Sequence, residues 1–352
     1  MKFGLFYQLP CADSQSEPVR YQETLEQIRV ADELGFDCAW LAELHFFKSF
    51  SIMPSPLIVA AVAAQQTKKI RLGIAVNLLP LYPPLRCAED GATVDILSNG
   101  RLDFGVGRGA LPLHFAGFNV SREESRERFE EALQIIRKAW TEERFSFNGQ
   151  YYQVHDVVVV PKPVQKPHPP VRIAANSPET AVFAGREGYS VFLASVTNPL
   201  PRMREQVARY RQAQAEHGQA ATALDVASLF FVSVGDSVEG VRSAVEGSIT
   251  NYYHTANRMI RAGTPLQPGE SYGYLREAQR QADVLSFADI ERNIAIFGEP
   301  QQCIDKIHTL HREVGMGQLI CWFNPGGLVP HRRVLSMMER FACAVMPTVR
   351  EL

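Results

Sequence analysis

The sequence lacks any long apolar run. Its longest, around 57–64, is far below the roughly 20 residues that a membrane-spanning helix needs. The opening MKFGLFYQLP is too short an apolar stretch for a secretory leader, and polar residues follow at once. Paired thiols are also missing. The six cysteines, Cys11, Cys38, Cys87, Cys303, Cys321 and Cys343, are scattered without a CxxC motif, which predicts reduced thiols in a cytoplasmic protein rather than a disulfide framework. There is no excess of one charge: 36 Lys and Arg face 38 Asp and Glu, for a net charge of −2, with no single-sign run. That leaves no electrostatic handle for nucleic acid, and neither a nucleic-acid partner nor a membrane is expected. A GxSxG nucleophile elbow is absent. His308 and His311 read as surface residues, so no metal is expected either.

What is present is length and alternation. The chain has 352 residues, 46% of them hydrophobic, enough for one large α/β domain over 1–352. Strand-like runs at 2–7, 36–43, 70–79, 101–107, 171–175, 189–194, 227–235 and 317–323 alternate with helical patterns. These include 21–34, closed by Gly35, and 121–140, which opens with the capping-box spacing Ser121-Arg122-Glu123-Glu124. Eight such units in series predict a (β/α)8 TIM barrel, with a doubly wound open sheet as the alternative. Two insertions break the rhythm: a β-hairpin with a proline-rich exit at 144–170, and a long Gly- and Pro-containing loop at 261–295, between strands seven and eight, that could serve as a lid.

Barrel active sites lie at the C-terminal ends of the strands. The polar residues there are Glu43 and His45 after strand two, Asn77 after strand three, Arg108 between Gly107 and Gly109 after strand four, and Asn176, Ser177 and Thr180 after strand five. Ser177 and Thr180 open a helix whose free N–H groups favour an anion, and Arg108 and Arg126 could add forked donors. The plainer reading makes Ser177 a helix cap and pairs Arg126 with Glu130. The GxGxG spacing differs from a dinucleotide fingerprint because 110–118 reads as a loop. Glu43 and His45 could form a general acid–base pair, or His45 could simply be hydrogen-bonded in the mouth.

Several long motifs then occur in one order: MKFG at the start, GFDCAWLAELHF (35–46), VNLLPLYPPLRCAED (76–90), SNGRLDFGVGRG (98–109), SRERFEEAL (125–133), AANSPET (174–180), and GEPQQCIDKI with GQLICWF towards the end. In these the chain resembles the flavin-dependent luciferase-like monooxygenases, in particular the α subunit of bacterial luciferase. The resemblance implies a (β/α)8 barrel, a homodimer, and use of reduced FMN from a separate NAD(P)H:flavin reductase. With O2 the flavin would give a hydroperoxide that oxygenates a small, mainly apolar substrate. It implies flavin contacts at Ala75, Val76, Gly107, Arg108, Ala110, Arg126, Asn176, Ser177 and Thr180, with a cis peptide between Ala75 and Val76. Glu43 and His45 become the expected catalytic residues. Leu44, His114, Phe115 and Trp322, with residues of the 261–295 insertion, become the expected substrate pocket. Two departures stand out. Leucine occupies position 44, where luciferase carries its catalytic histidine, and Gly107 would leave empty the space of a reactive cysteine. A non-luminescent monooxygenase is therefore expected. The alternatives are a deazaflavin-dependent oxidoreductase and a non-catalytic flavin-binding barrel subunit.

Overall fold

The computed structural model describes residues 1–222, 225–262 and 286–352. Eight strands run parallel: β1 (Lys2–Tyr7), β2 (Cys38–Leu41), β3 (Arg71–Ile74), β4 (Leu102–Gly107), β5 (Val171–Ala174), β6 (Ser190–Ala194), β7 (Val226–Val234) and β8 (Gln318–Trp322). Each pairs with the next, β7 pairs with β8, and β8 pairs back onto β1 with Lys2 opposite Gln318, so the sheet closes into a barrel. The strands are continuous apolar runs because both faces are covered, by the barrel interior and by the outer helices. Those helices are α1 (Glu17–Leu34), α2 (Pro56–Gln66), α3 (Pro84–Leu97), α4 (Ser125–Thr141), α5 (Pro178–Arg186), α6 (Leu200–Glu216), α7 (Val238–Arg261) and α8 (His331–Ala344). Gly35 ends α1 in the left-handed region (φ 82°), its N–H returned to Ala31 and Asp32.

The interior is filled rather than open. Trp40 on β2 lies across it, almost wholly buried, with Phe192 edge-on at 4.5 Å. Glycines on β1 and β3 lie directly against its indole. A Cβ on Gly4 would stand 2.7 Å from the indole, and one on Gly73 only 2.0 Å away. On β4, a Cβ at Gly105 would lie 1.9 Å from the carbonyl oxygen of Ile74. The small residues are therefore set by what the barrel must hold.

The expected hairpin is present as Phe145–Asn148 against Gln153–Val157. The cis peptide expected between Ala75 and Val76 is present. Three local expectations need correction. The third strand stops at Ile74, and Asn77–Leu78 pairs separately with β4. The capping box at 121 does not form: α4 starts at Ser125, and the Glu124 carboxylate is taken by Arg128 at 2.8 Å. The segment read as a loop contains a short helix, Pro112–Gly117, opened by proline in the first turn. Between α7 and β8 lie a helix at Phe287–Asn293, a strand at Ala295–Gly298 paired with the end of β7, and a helix at Pro300–Val314. The lid expected within 261–295 falls mainly on 263–285, outside the described residues.

Gly105→Ala should therefore cost at least about 2 kcal/mol in urea unfolding, because backbone has to move. Gly247→Ala, exposed on α7 with nothing near its Cβ, should instead stabilise by up to about 1 kcal/mol.

Candidate functional site

The C-terminal strand ends enclose a cavity of about 180 Å³. Its apolar wall includes Leu44, Val76, Leu78, Leu111 and Ala174. Gly107, Gly109 and Ala110 bring backbone to the same wall, and the polar groups are Glu43, Arg108, His114, Asn176, Ser177 and Thr180. Gly109 has a positive φ of 76°, which turns the chain from β4 towards the Pro112–Gly117 helix.

One end suits an anion. Ser177 caps α5: its hydroxyl accepts from Thr180 N–H at 3.4 Å and lies 3.0 Å from the Thr180 hydroxyl. Both readings of Ser177 thus meet at one helix start, where the dipole is positive. Burial raises the Glu179 carboxyl, but hydrogen bonds from its own backbone N–H and from Ser177, with the positive field of Arg126 and Arg108, bring it below the ordinary value. The two guanidinium groups therefore act on the same helix end. Arg108 forms part of the cavity wall. Arg126 lies outside it, in a groove with Glu130, Glu179 and Arg186. The Asn176 side chain is fixed by two donors to its Oδ1, Thr197 Oγ1 at 3.1 Å and Asn198 Nδ2 at 3.0 Å. Sequence reading passed over Thr197 and Asn198, although a polar pair directly after strand six was the available signal.

The other end is built on a buried carboxylate. Glu43 Oε1 accepts from His45 Nε2 at 2.9 Å, and Oε2 accepts from Leu78 N–H at 3.1 Å. Burial raises the Glu43 pKa, while His45, Leu78 and the Tyr82 hydroxyl, which also donates to it, partly offset this. His45 is turned towards Glu43 and packs on His114 and Phe118, so it does not form part of the cavity wall. His114 does. Its Nε2 accepts the backbone N–H of His45 at 3.1 Å, and its Nδ1 is buried with no partner among the described residues. Burial, helped by the neighbouring His45, pushes its pKa down to about 4.

The remaining expected residues do not form part of this wall. Ala75 donates its N–H to Leu41 O and leaves the wall to Val76. Phe115 packs with Leu78 and Leu81. Trp322 is held inside the barrel between Phe6 and Phe231, with ring centroids 4.8 and 5.3 Å away. The space expected to be empty at Gly107 is filled, because a Cβ there would stand 2.6 Å from Val76 Cγ2.

A family model described as luciferase-like monooxygenase matches residues 1–316. The chain is 27% identical to the alkanal monooxygenase alpha chain of Photorhabdus luminescens, over 100% of this chain and 98% of that one. It is also 27% identical to the oxygenase component of a flavin-dependent trigonelline monooxygenase from Acinetobacter baylyi, over 100% and 96%. The crystal structure of monooxygenase RslO1 from Streptomyces bottropensis superposes with a TM-score of 0.84 at 26% identity, covering 99% of both chains.

The depressed basicity of His114 links stability to pH. Between its ordinary value of 6.5 and its folded value of about 4, the unfolded chain binds a proton that the native state refuses. Stability should therefore fall as pH drops through that window, by something on the order of 3 kcal/mol, with no further loss from this group below it. Urea unfolding near pH 7 and near pH 4.5 should show a smaller acid loss in His114→Phe than in the wild type.

Proposed function

The chain belongs to the luciferase-like monooxygenases, a family of flavin-dependent enzymes, and on that premise we propose that it is the oxygenase component of a two-component system. It takes reduced FMN from a separate NAD(P)H:flavin reductase and uses O2 to oxygenate a small, mainly apolar organic compound without light emission. The observation that carries this reading is an anion cradle at one end of the cavity, beside a largely apolar wall: Arg108 next to the Ser177–Thr180 helix start. A phosphate there would meet a forked cation, two hydroxyls and a helix N-terminus together.

When bound, the reduced flavin supplies the electrons that activate dioxygen. The chain's own residues do the rest. Arg108, Ser177 and Thr180 hold the phosphate, with Arg126 adding positive field from outside. Leu44, Val76 and Leu78 keep water from the reacting end. Glu43 is held by three donors, so His45 acts through Glu43 as a positioning residue. Leucine at 44 supports the non-luminescent assignment. The reductase is supported by the naming of the Acinetobacter relative as an oxygenase component.

The same reading includes a homodimer in the cytoplasm. Ile58 is 67% exposed and Val62 43% on α2, and Leu97 is 48% exposed at the end of α3. Together they make an apolar face of the kind a second copy covers. The six cysteines are unbonded, as suits a reducing compartment, and no described helix is long and apolar enough to cross a membrane.

Anaerobic titration should give reduced-FMN binding that Arg108→Ala weakens by about tenfold or more; a folded wild type that binds no FMN overturns the proposal. Ile58→Asp combined with Leu97→Asp should sediment as a monomer and still bind FMN.

A further inference from the structure

Asn176 joins the anion cradle to the connection between β6 and α6. It precedes the Ser177 cap and forms part of the same cavity wall as Arg108, Ser177 and Thr180. Both of its oxygens are already engaged. The carbonyl accepts from Arg202 at 3.4 Å, and Oδ1 accepts from Thr197 Oγ1 at 3.1 Å and from Asn198 Nδ2 at 3.0 Å. None of those three donor residues lines the cavity. The Thr197 hydroxyl can give or accept, so on its own it would let the Asn176 amide sit either way round. Asn198 Nδ2 can only give, so it decides which end of that amide faces it. Asn198 is 0% exposed, so water cannot take its place. The end left over is Asn176 Nδ2. It has no partner among the described residues, it is not one of their sealed polar atoms, and Asn176 itself is only half-buried.

We infer that Asn198 is a positioning residue for the flavin phosphate: it holds the Asn176 side chain as a donor, with Oδ1 withdrawn and Nδ2 left for the ligand. The inference rests on the flavin reading of the cavity. A phosphate is bound by donors and opposed by lone pairs. An asparagine free to turn would present Oδ1 as well as Nδ2, and the first works against the ligand. The clamp removes that orientation before binding, so the ligand does not bear the cost of ordering the side chain. Asn198 touches no ligand itself and acts only through Asn176. A flavin without the phosphate gains nothing from it.

Anaerobic titrations of the full chain with reduced FMN and with reduced riboflavin, which lacks only the phosphate, separate this role from a structural one. The wild type should prefer FMN. Asn198→Ala should weaken FMN binding by about fivefold or more and riboflavin binding by less than about twofold. In an Asn176→Ala background the same change should alter FMN affinity by less than about twofold, because the side chain it positions is gone. Asn176→Asp keeps acceptors for Thr197 and Asn198 but replaces the free donor with an oxygen. It should weaken FMN by about tenfold or more and spare riboflavin, and it is read whether or not Asn198→Ala folds. Parallel losses for both flavins in Asn198→Ala, or an undiminished FMN loss in the Asn176→Ala background, make Asn198 merely structural and overturn the inference. So does Asn176→Asp binding FMN as the wild type does. In each of these cases FMN binding by the wild type leaves the flavin reading intact. A wild type that binds no FMN removes that reading, and the inference with it.

Discussion

The mouth of this barrel depends on keeping one buried carboxylate paired. Glu43 is removed from water, and leaving a buried polar group without its partners costs about 1–3 kcal/mol, more if it is charged. Its oxygens take the His45 ring, the Leu78 N–H and the Tyr82 hydroxyl. Those three donors come from the end of β2 and from the segment that follows β3. His45 extends the chain of contacts one step further, through its own backbone N–H to His114 on the short helix after β4. The ends of three successive strands are thus fixed relative to one another by hydrogen bonds that cannot be exchanged for water. The cavity wall is what remains between them.

The opposite side of the cavity uses a different economy. There the charges are guanidinium groups beside a helix start, and the helix dipole has the same sign as the arginines. Glu179 and the Ser177 cap hold that end in place without neutralising it completely. A ligand with one charged end and one apolar body would lie in a single orientation, because the two ends of the cavity differ so sharply in polarity.

The barrel was legible because each parallel strand is an uninterrupted apolar run followed by a helical pattern, and closure needs only eight such units. The convergence of Glu43, Arg108, Asn176 and Ser177 followed from their positions at strand ends. What was not legible was the direction of individual side chains. His45 and His114 both lie near the mouth, and nothing in their spacing says that the first turns to Glu43 while the second faces the cavity. Trp322 ends a strand like the site residues, yet its ring packs inward between Phe6 and Phe231. The short helix at Pro112–Gly117 was obscured by a glycine-flanked, apolar stretch with no polar face. The serine at 121 carried the spacing of a capping box, but Arg128 claims the Glu124 carboxylate that the box required.

Val76 and Gly107 face each other so closely that they behave as one unit. A Cβ at 107 would stand 2.6 Å from Val76 Cγ2, so any side chain there requires the valine to turn or give way. The two positions are therefore coupled, and the effect of a substitution at either depends on what occupies the other. The shape of this wall is set by a methyl group as well as by its ionisable residues.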